Sequence, residues 1–294
     1  MKEQIIDSKI ENIKIDKKSG GRQLAIKALN ILMFITQTSY GNSIEDFIED
    51  FNYFGNKIIK ARPNIASIQN LVGTILFEVN RKRYESLNSL KGSIVSKIDE
   101  INSDYELNLQ SIFDYTLDMI KDSKNIITCS YSSTISKILI KSKQNGIDFV
   151  IMIAESKSID SSISYGKQMV QELKPFEIAL EIFPDNAIRD YIKRTNCAIV
   201  GADSILADGS VINGTPTFKV ALASKENDIP FYTVCDSTKF NISSLKGQKI
   251  KLEDGFDLVP SNHITGIITE KGIFKPDEII EQFKDIEKYL DFIV

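Results

Sequence analysis

Through the first third of the chain, apolar side chains recur every three or four residues. Between residues 22 and 38, Leu24, Ala25, Ala28, Leu29, Leu32 and Ile35 fall on one helical face. Residues 43–60 repeat the pattern with Ile44, Phe47, Ile48, Phe51 and Phe54. Asn64 follows Arg62-Pro63, where its side chain could cap a helix over residues 65–78. Two further amphipathic helices are predicted over residues 81–102 and 107–121. No strand pattern interrupts this region.

Near residue 122 the pattern changes. Short apolar runs rich in β-branched residues appear at 125–128, 148–154, 176–182, 197–201, 230–235 and 263–269. Helical stretches at 132–145, 163–172, 186–194 and 217–227 alternate with them. Short strands separated by helices indicate a parallel sheet covered on both faces. The expected fold is therefore α/β: a helical N-terminal domain over residues 1–121, then a Rossmann-like, doubly wound parallel sheet over residues 122–294. Ligands of such sheets bind beyond the carboxyl ends of the strands. The segments of interest are thus 128–132, 154–156, 184–186, 201–204 and 235–239.

Composition narrows the function. Lysine and arginine total 36 against 40 acidic residues, so no broad basic face for nucleic acid is expected. Cys129, Cys197 and Cys235 are odd in number and lack a CxxC pair, which suits reduced thiols in the cytoplasm. The N-terminus lacks the apolar core of a secretory signal, and no run approaches the roughly 20 apolar residues of a membrane helix. A single histidine, His263, argues against a serine-hydrolase triad or a histidine-ligated metal, so neither metal nor cofactor is expected.

Each strand end has two readings. Asp203, directly after a buried strand, can be an acid/base group or a turn residue. The stretch Cys129-Ser130-Tyr131-Ser132 can cradle a phosphate at a helix start or simply cap that helix. Cys129 would need an activating neighbour to act as a nucleophile. Lys239 can meet an anion or lie on the surface, and Arg62 can aim a guanidinium at the α/β domain. Gly20-Gly21 lacks the spacing of a phosphate-binding fingerprint and reads as a linker.

The stretch from Gly201 to Phe240 carries a specific resemblance. Gly201-Ala202-Asp203, Asn213-Gly214-Thr215, the alanine-containing helix that follows, Pro230-Phe231 and Asp236 with Lys239-Phe240 occur in a characteristic order. Ala61-Arg62-Pro63, Ala154-Glu155-Ser156, Asp185-Asn186-Ala187, Phe256-Asp257 and Thr269-Glu270-Lys271-Gly272 extend it over about residues 60–280. The chain resembles the family of the alpha, beta and delta subunits of translation initiation factor 2B, with methylthioribose-1-phosphate and ribose-1,5-bisphosphate isomerases. The resemblance implies a helical domain before a Rossmann-like one. It also implies a homodimer or higher oligomer, for which Phe283, Tyr289 and Phe292 offer apolar surface.

The isomerases of this family use a Cys and an Asp. Asp203 falls on the Asp, but counting back from Glu155 places the Cys position at Ser130, with Cys129 one residue earlier. The enzymes' Arg-Gly-Ala is Asp16-Lys17-Lys18 here, and their Asn-Lys is Asn213-Gly214. These departures favour a noncatalytic relative of the regulatory subunits. Such a chain would bind a protein partner such as the initiation factor 2 alpha subunit, with a retained pocket for a nucleotide or sugar phosphate. The expected ligand-binding residues are Arg62, Ser130, Glu155, Asp203, Asn213 and Lys239. The alternative is an aldose–ketose isomerase acting on a ribose phosphate, with Asp203 and Cys129 as its catalytic pair.

Overall fold

The computed structural model describes residues 2–38, 43–158, 160 and 162–287. Four helices open the chain: α1 (Lys2–Ile15), α2 (Gly21–Thr38), α3 (Ile44–Ala61) and α4 (Ala66–Arg81). Their apolar stripes meet in one core, where Leu24, Leu32, Phe47, Phe51 and Ile58 are buried.

The two helices expected over 81–102 and 107–121 are one, α5 (Leu87–Asp122). Tyr105 supplies the continuity. It is buried and carries the stripe of Leu90, Ile94, Ile98 and Ile101 onward to Ile112, Thr116 and Ile120. The first half of α5 packs into the helical core and the second half onto the sheet. Asn64 does not cap α4, since Ile65 occupies the cap position with no side-chain hydrogen bond. Its amide instead donates to the Lys251 carbonyl (2.8 Å), and its Oδ1 accepts from the Glu253 N–H (2.8 Å).

The sheet contains β1 (Asn125–Thr128), β2 (Val150–Ala154), β3 (Ala179–Phe183), β4 (Cys197–Val200), β7 (Phe231–Val234), β9 (Gly266–Thr269) and β10 (Gly272–Phe274). Their order is β3-β2-β1-β4-β7-β9-β10, parallel except for β10. Helices α5, α6 (Ser133–Gln144) and α7 (Tyr165–Leu173) cover one face. Helices α8 (Ile188–Tyr191) and α9 (Thr217–Glu226) cover the other. The strand order reverses at β1, whose neighbours are β2 and β4, and ligands of doubly wound sheets bind at such a point.

A second, antiparallel sheet of β5 (Ser204–Ile205), β6 (Val211–Gly214) and β8 (Phe256–Val259) was not expected from the sequence. Phe283, expected as apolar surface, is core: it is 1% exposed and stacks on Phe240 at 4.9 Å. Tyr289 and Phe292 lie outside the described residues.

Ser103 is an exposed position within α5. Proline there removes a helical hydrogen bond and clashes with the preceding turn, so Ser103→Pro is expected to destabilise the protein by about 3 kcal/mol. Urea denaturation measures this. Near-wild-type stability would mean that the helix breaks at this point.

Candidate functional site

A cleft of about 320 Å³ lies where the helical domain meets the carboxyl ends of β1 and β4. That is at the small end of the roughly 300–1,000 Å³ typical of ligand sites. Its walls include Ser130 and Asp203 from the strand ends, Arg62 from the end of α3, Gly20 and Gly21 at the start of α2, and Glu253.

The strand ends are tied together. Asp185, after β3, accepts from the N–H groups of Ser156 (2.7 Å) and Lys157 (3.1 Å). Ser156 Oγ, after β2, accepts from the Ser130 N–H at 2.7 Å. Ser130 thereby holds a left-handed backbone, φ 62°. Its hydroxyl sits so close to the Gly214 α-carbon that any side chain at 214 would collide with it.

Asp203 is the central charge. Burial raises its pKa above the usual carboxylate range, opposed by Lys239 and Arg62 and reinforced by Glu253. Lys239 is buried, with Nζ 3.3 Å from Ser67 Oγ. Both charges lie against Gly21. A Cβ there would fall 2.5 Å from Lys239 Nζ and 2.6 Å from Asp203 Oδ1. Gly20-Gly21 is therefore part of the site and not a plain linker. The signal available in the sequence was a glycine pair at the start of an 18-residue helix.

Arg62 faces the cleft but holds protein groups, with Nε 3.1 Å from Glu253 Oε2 and Nη1 2.7 Å from the Asp16 carbonyl. The Tyr165 hydroxyl donates to the Lys17 carbonyl (2.6 Å), a second tie across the mouth. Asp16 does not present a free charge to a ligand. Its carboxylate accepts from the Lys18 and Ser19 N–H groups and pairs with Lys27. Burial would raise its pKa, but these bonds hold it well below the usual range.

The remaining expected residues lie elsewhere. Glu155 is outside the cleft lining, 3.0 Å from Lys157 and 3.8 Å from Lys167. Asn213 lies behind the wall and donates to Thr217 Oγ1 at 2.9 Å. Cys129 meets the same hydroxyl, its sulfur 3.4 Å away. The thiol is buried and its pKa is pushed up to about 12, mainly by desolvation. It does not line the cleft with Ser130 and Asp203. Among the described residues no group of three acidic, His or Cys side chains could hold a metal. No described helix is long and apolar enough to cross a membrane.

Fold and cleft together define an α/β protein with a helical N-terminal region and a cleft at the switch point of its sheet, roofed by helices. The chain belongs to the initiation factor 2 subunit family, whose model matches residues 17–255. It is 27% identical to ribose 1,5-bisphosphate isomerase of Methanocaldococcus jannaschii, over 97% of this chain and 94% of that protein. It is 28% identical to the putative translation initiation factor eIF-2B subunit 2-like protein of Pyrococcus horikoshii, over 92% and 97%. The crystal structure of P. horikoshii translation initiation factor eIF-2B superposes with TM-score 0.78 at 26% identity, covering 94% of this chain and 98% of that one. The tetrameric eIF2B-beta2-delta2 complex of Chaetomium thermophilum shares the fold, with TM-score 0.78 at 18% identity and coverage of 97% and 95%.

All three cysteines are buried. A raised pKa keeps the neutral, unreactive thiol to higher pH, so the native protein at pH 9 is expected to resist a thiol reagent such as dithionitrobenzoate. Labelling of three thiols is expected only after unfolding. Rapid labelling of Cys129 in the native state would contradict this placement.

Proposed function

We propose that the cleft binds a phosphorylated pentose and isomerises it, with Asp203 as the proton-transfer group. The observation that carries this reading is the half-buried Asp203 carboxyl, which lines the cleft at the switch point and lies with Lys239 against Gly21 at the start of α2. Aldose–ketose isomerisation takes a proton from a hydroxyl-bearing carbon and returns one to its neighbour. A carboxyl with a raised pKa is suited to both transfers. The ammonium of Lys239, behind the lining at Gly21, would favour the carboxylate form of Asp203 between the two transfers. Arg62, Lys17 and Lys18 would hold the phosphate at the mouth. The isomerase relatives weigh toward this reading and away from the noncatalytic one expected from the sequence.

One observation favours the second reading, a noncatalytic subunit that senses the same ligand. No thiol lies in the cleft beside Asp203, because the Cys129 sulfur is turned toward Thr217. A serine hydroxyl at Ser130 is far too weak an acid to replace a thiol directly. In this reading the chain would assemble as a dimer or higher oligomer and dock on the initiation factor 2 alpha subunit. The tetrameric fold neighbour supports assembly.

Incubation with ribose 1,5-bisphosphate, followed by phosphorus NMR, separates the two. The expected outcome is ketose formation, reduced about 10²-fold or more by Asp203→Asn, with Cys129→Ser close to wild type. Binding of the sugar phosphate by calorimetry without turnover would establish the second reading instead.

A further inference from the structure

Arg62 is 8% exposed, yet the groups it holds belong to the protein itself. Its carboxylate partner is the more open of the pair, with the Glu253 side chain 31% exposed against 10% for Arg62. Glu253 sits in segment 251–255, just before β8. Asn64 grips this segment at the Lys251 carbonyl and the Glu253 N–H, each at 2.8 Å. Arg62 and Asn64 together fasten segment 251–255 to the helical domain.

Among the described residues, five acidic and five basic side chains line the cleft, Asp203, Glu253 and Arg62 among them, and Lys239 lies just behind the lining. A phosphate dianion would bring two further negative charges beside two carboxylates. The rim supplies Lys17 and Lys18, while Lys157 is already paired with Glu155. A buried guanidinium deprived of its partner is strongly unfavourable, but a phosphate satisfies it as well as a carboxylate does. An exchange of partners on Arg62 is therefore the arrangement that admits the ligand and leaves no buried cation unpaired.

We propose that Glu253 is a resident competitor for the ligand's phosphate. In the empty cleft its carboxylate occupies Arg62. A phosphorylated ligand takes Arg62 over and releases Glu253, loosening segment 251–255 from the helical domain. A neutral sugar cannot make this exchange, so Glu253 also screens ligands by charge. The exchange rests on the reading that the cleft takes a phosphorylated ligand.

Glu253→Gln keeps the side chain's shape and removes its charge. Calorimetric titration with ribose 5-phosphate is expected to show about tenfold tighter binding than wild type, because the competent state no longer has to be vacated. Titration with unphosphorylated ribose should not differ between the two proteins. In the wild type, backbone amides of 251–255 should exchange faster with solvent when ribose 5-phosphate saturates the cleft. Equal or weaker affinity in Glu253→Gln, or unchanged exchange at 251–255, overturns the competition and leaves the cleft as a sugar-phosphate site. Failure of ribose 5-phosphate to bind either protein overturns the site and the competition together.

Discussion

A half-buried carboxylate, Asp203, and a buried ammonium, Lys239, both lie against the α-carbon of Gly21, and many of the contacts between the helical domain and the sheet surround them. A buried ammonium is costly without compensating charge, and Lys239 finds it in the field of the nearby Asp203. They come from the ends of β4 and β7, and the helical domain closes over them. The Asp203 carbonyl accepts from the Ala66 N–H (3.1 Å), and Ser204 Oγ donates to the Asn64 carbonyl (2.9 Å). The Asn70 amide donates to the carbonyls of Thr238 and Phe240, both at 2.7 Å. Ser67 receives Lys239 and donates to the Gly21 carbonyl. The contacts that dock the domains are thus the contacts that build the floor of the cleft.

This coupling explains why some features could be read from the sequence and others could not. The strands β1, β2, β4, β7 and β9 are buried on both faces, so each appears as a continuous apolar run. The helices α2 and α3 bury one stripe each and show it by spacing. The sheet of β5, β6 and β8 has strands of two to four residues, and Leu258 within it is exposed, too little pattern to register. The gap expected between residues 102 and 107 contains the polar run Asn102-Ser103-Asp104. Its three side chains simply face solvent while Tyr105 carries the buried stripe past them.

Within the site, proximity along the strand ends was legible and proximity through the helical domain was not. Ser130 and Asp203 follow apolar runs that read as strands, so both could be expected at strand ends. Gly21, Glu253 and Asn64 matter through contacts spanning long stretches of chain, and their neighbours in sequence carry no mark of it. Glu155 and Asn213 illustrate the converse. Both lie near strand ends, yet local pairing, with Lys157 in one case and Thr217 in the other, turns their side chains away from the cleft.

Ser130 and Gly214 are packed as a pair. The left-handed backbone at Ser130, held by Ser156, directs the hydroxyl onto the α-carbon of residue 214, where only glycine leaves room. A Cβ at 214 would require the Ser130 hydroxyl to rotate away, so the two positions are coupled through packing. The positive charge lining the cleft comes from Arg62 and the rim lysines, while Lys239 lies buried behind the lining against Gly21. Arg62 and Glu253 pair the end of α3 with the segment before β8 in the wall of this cleft, so an ion pair that docks the helical domain also shapes the cleft.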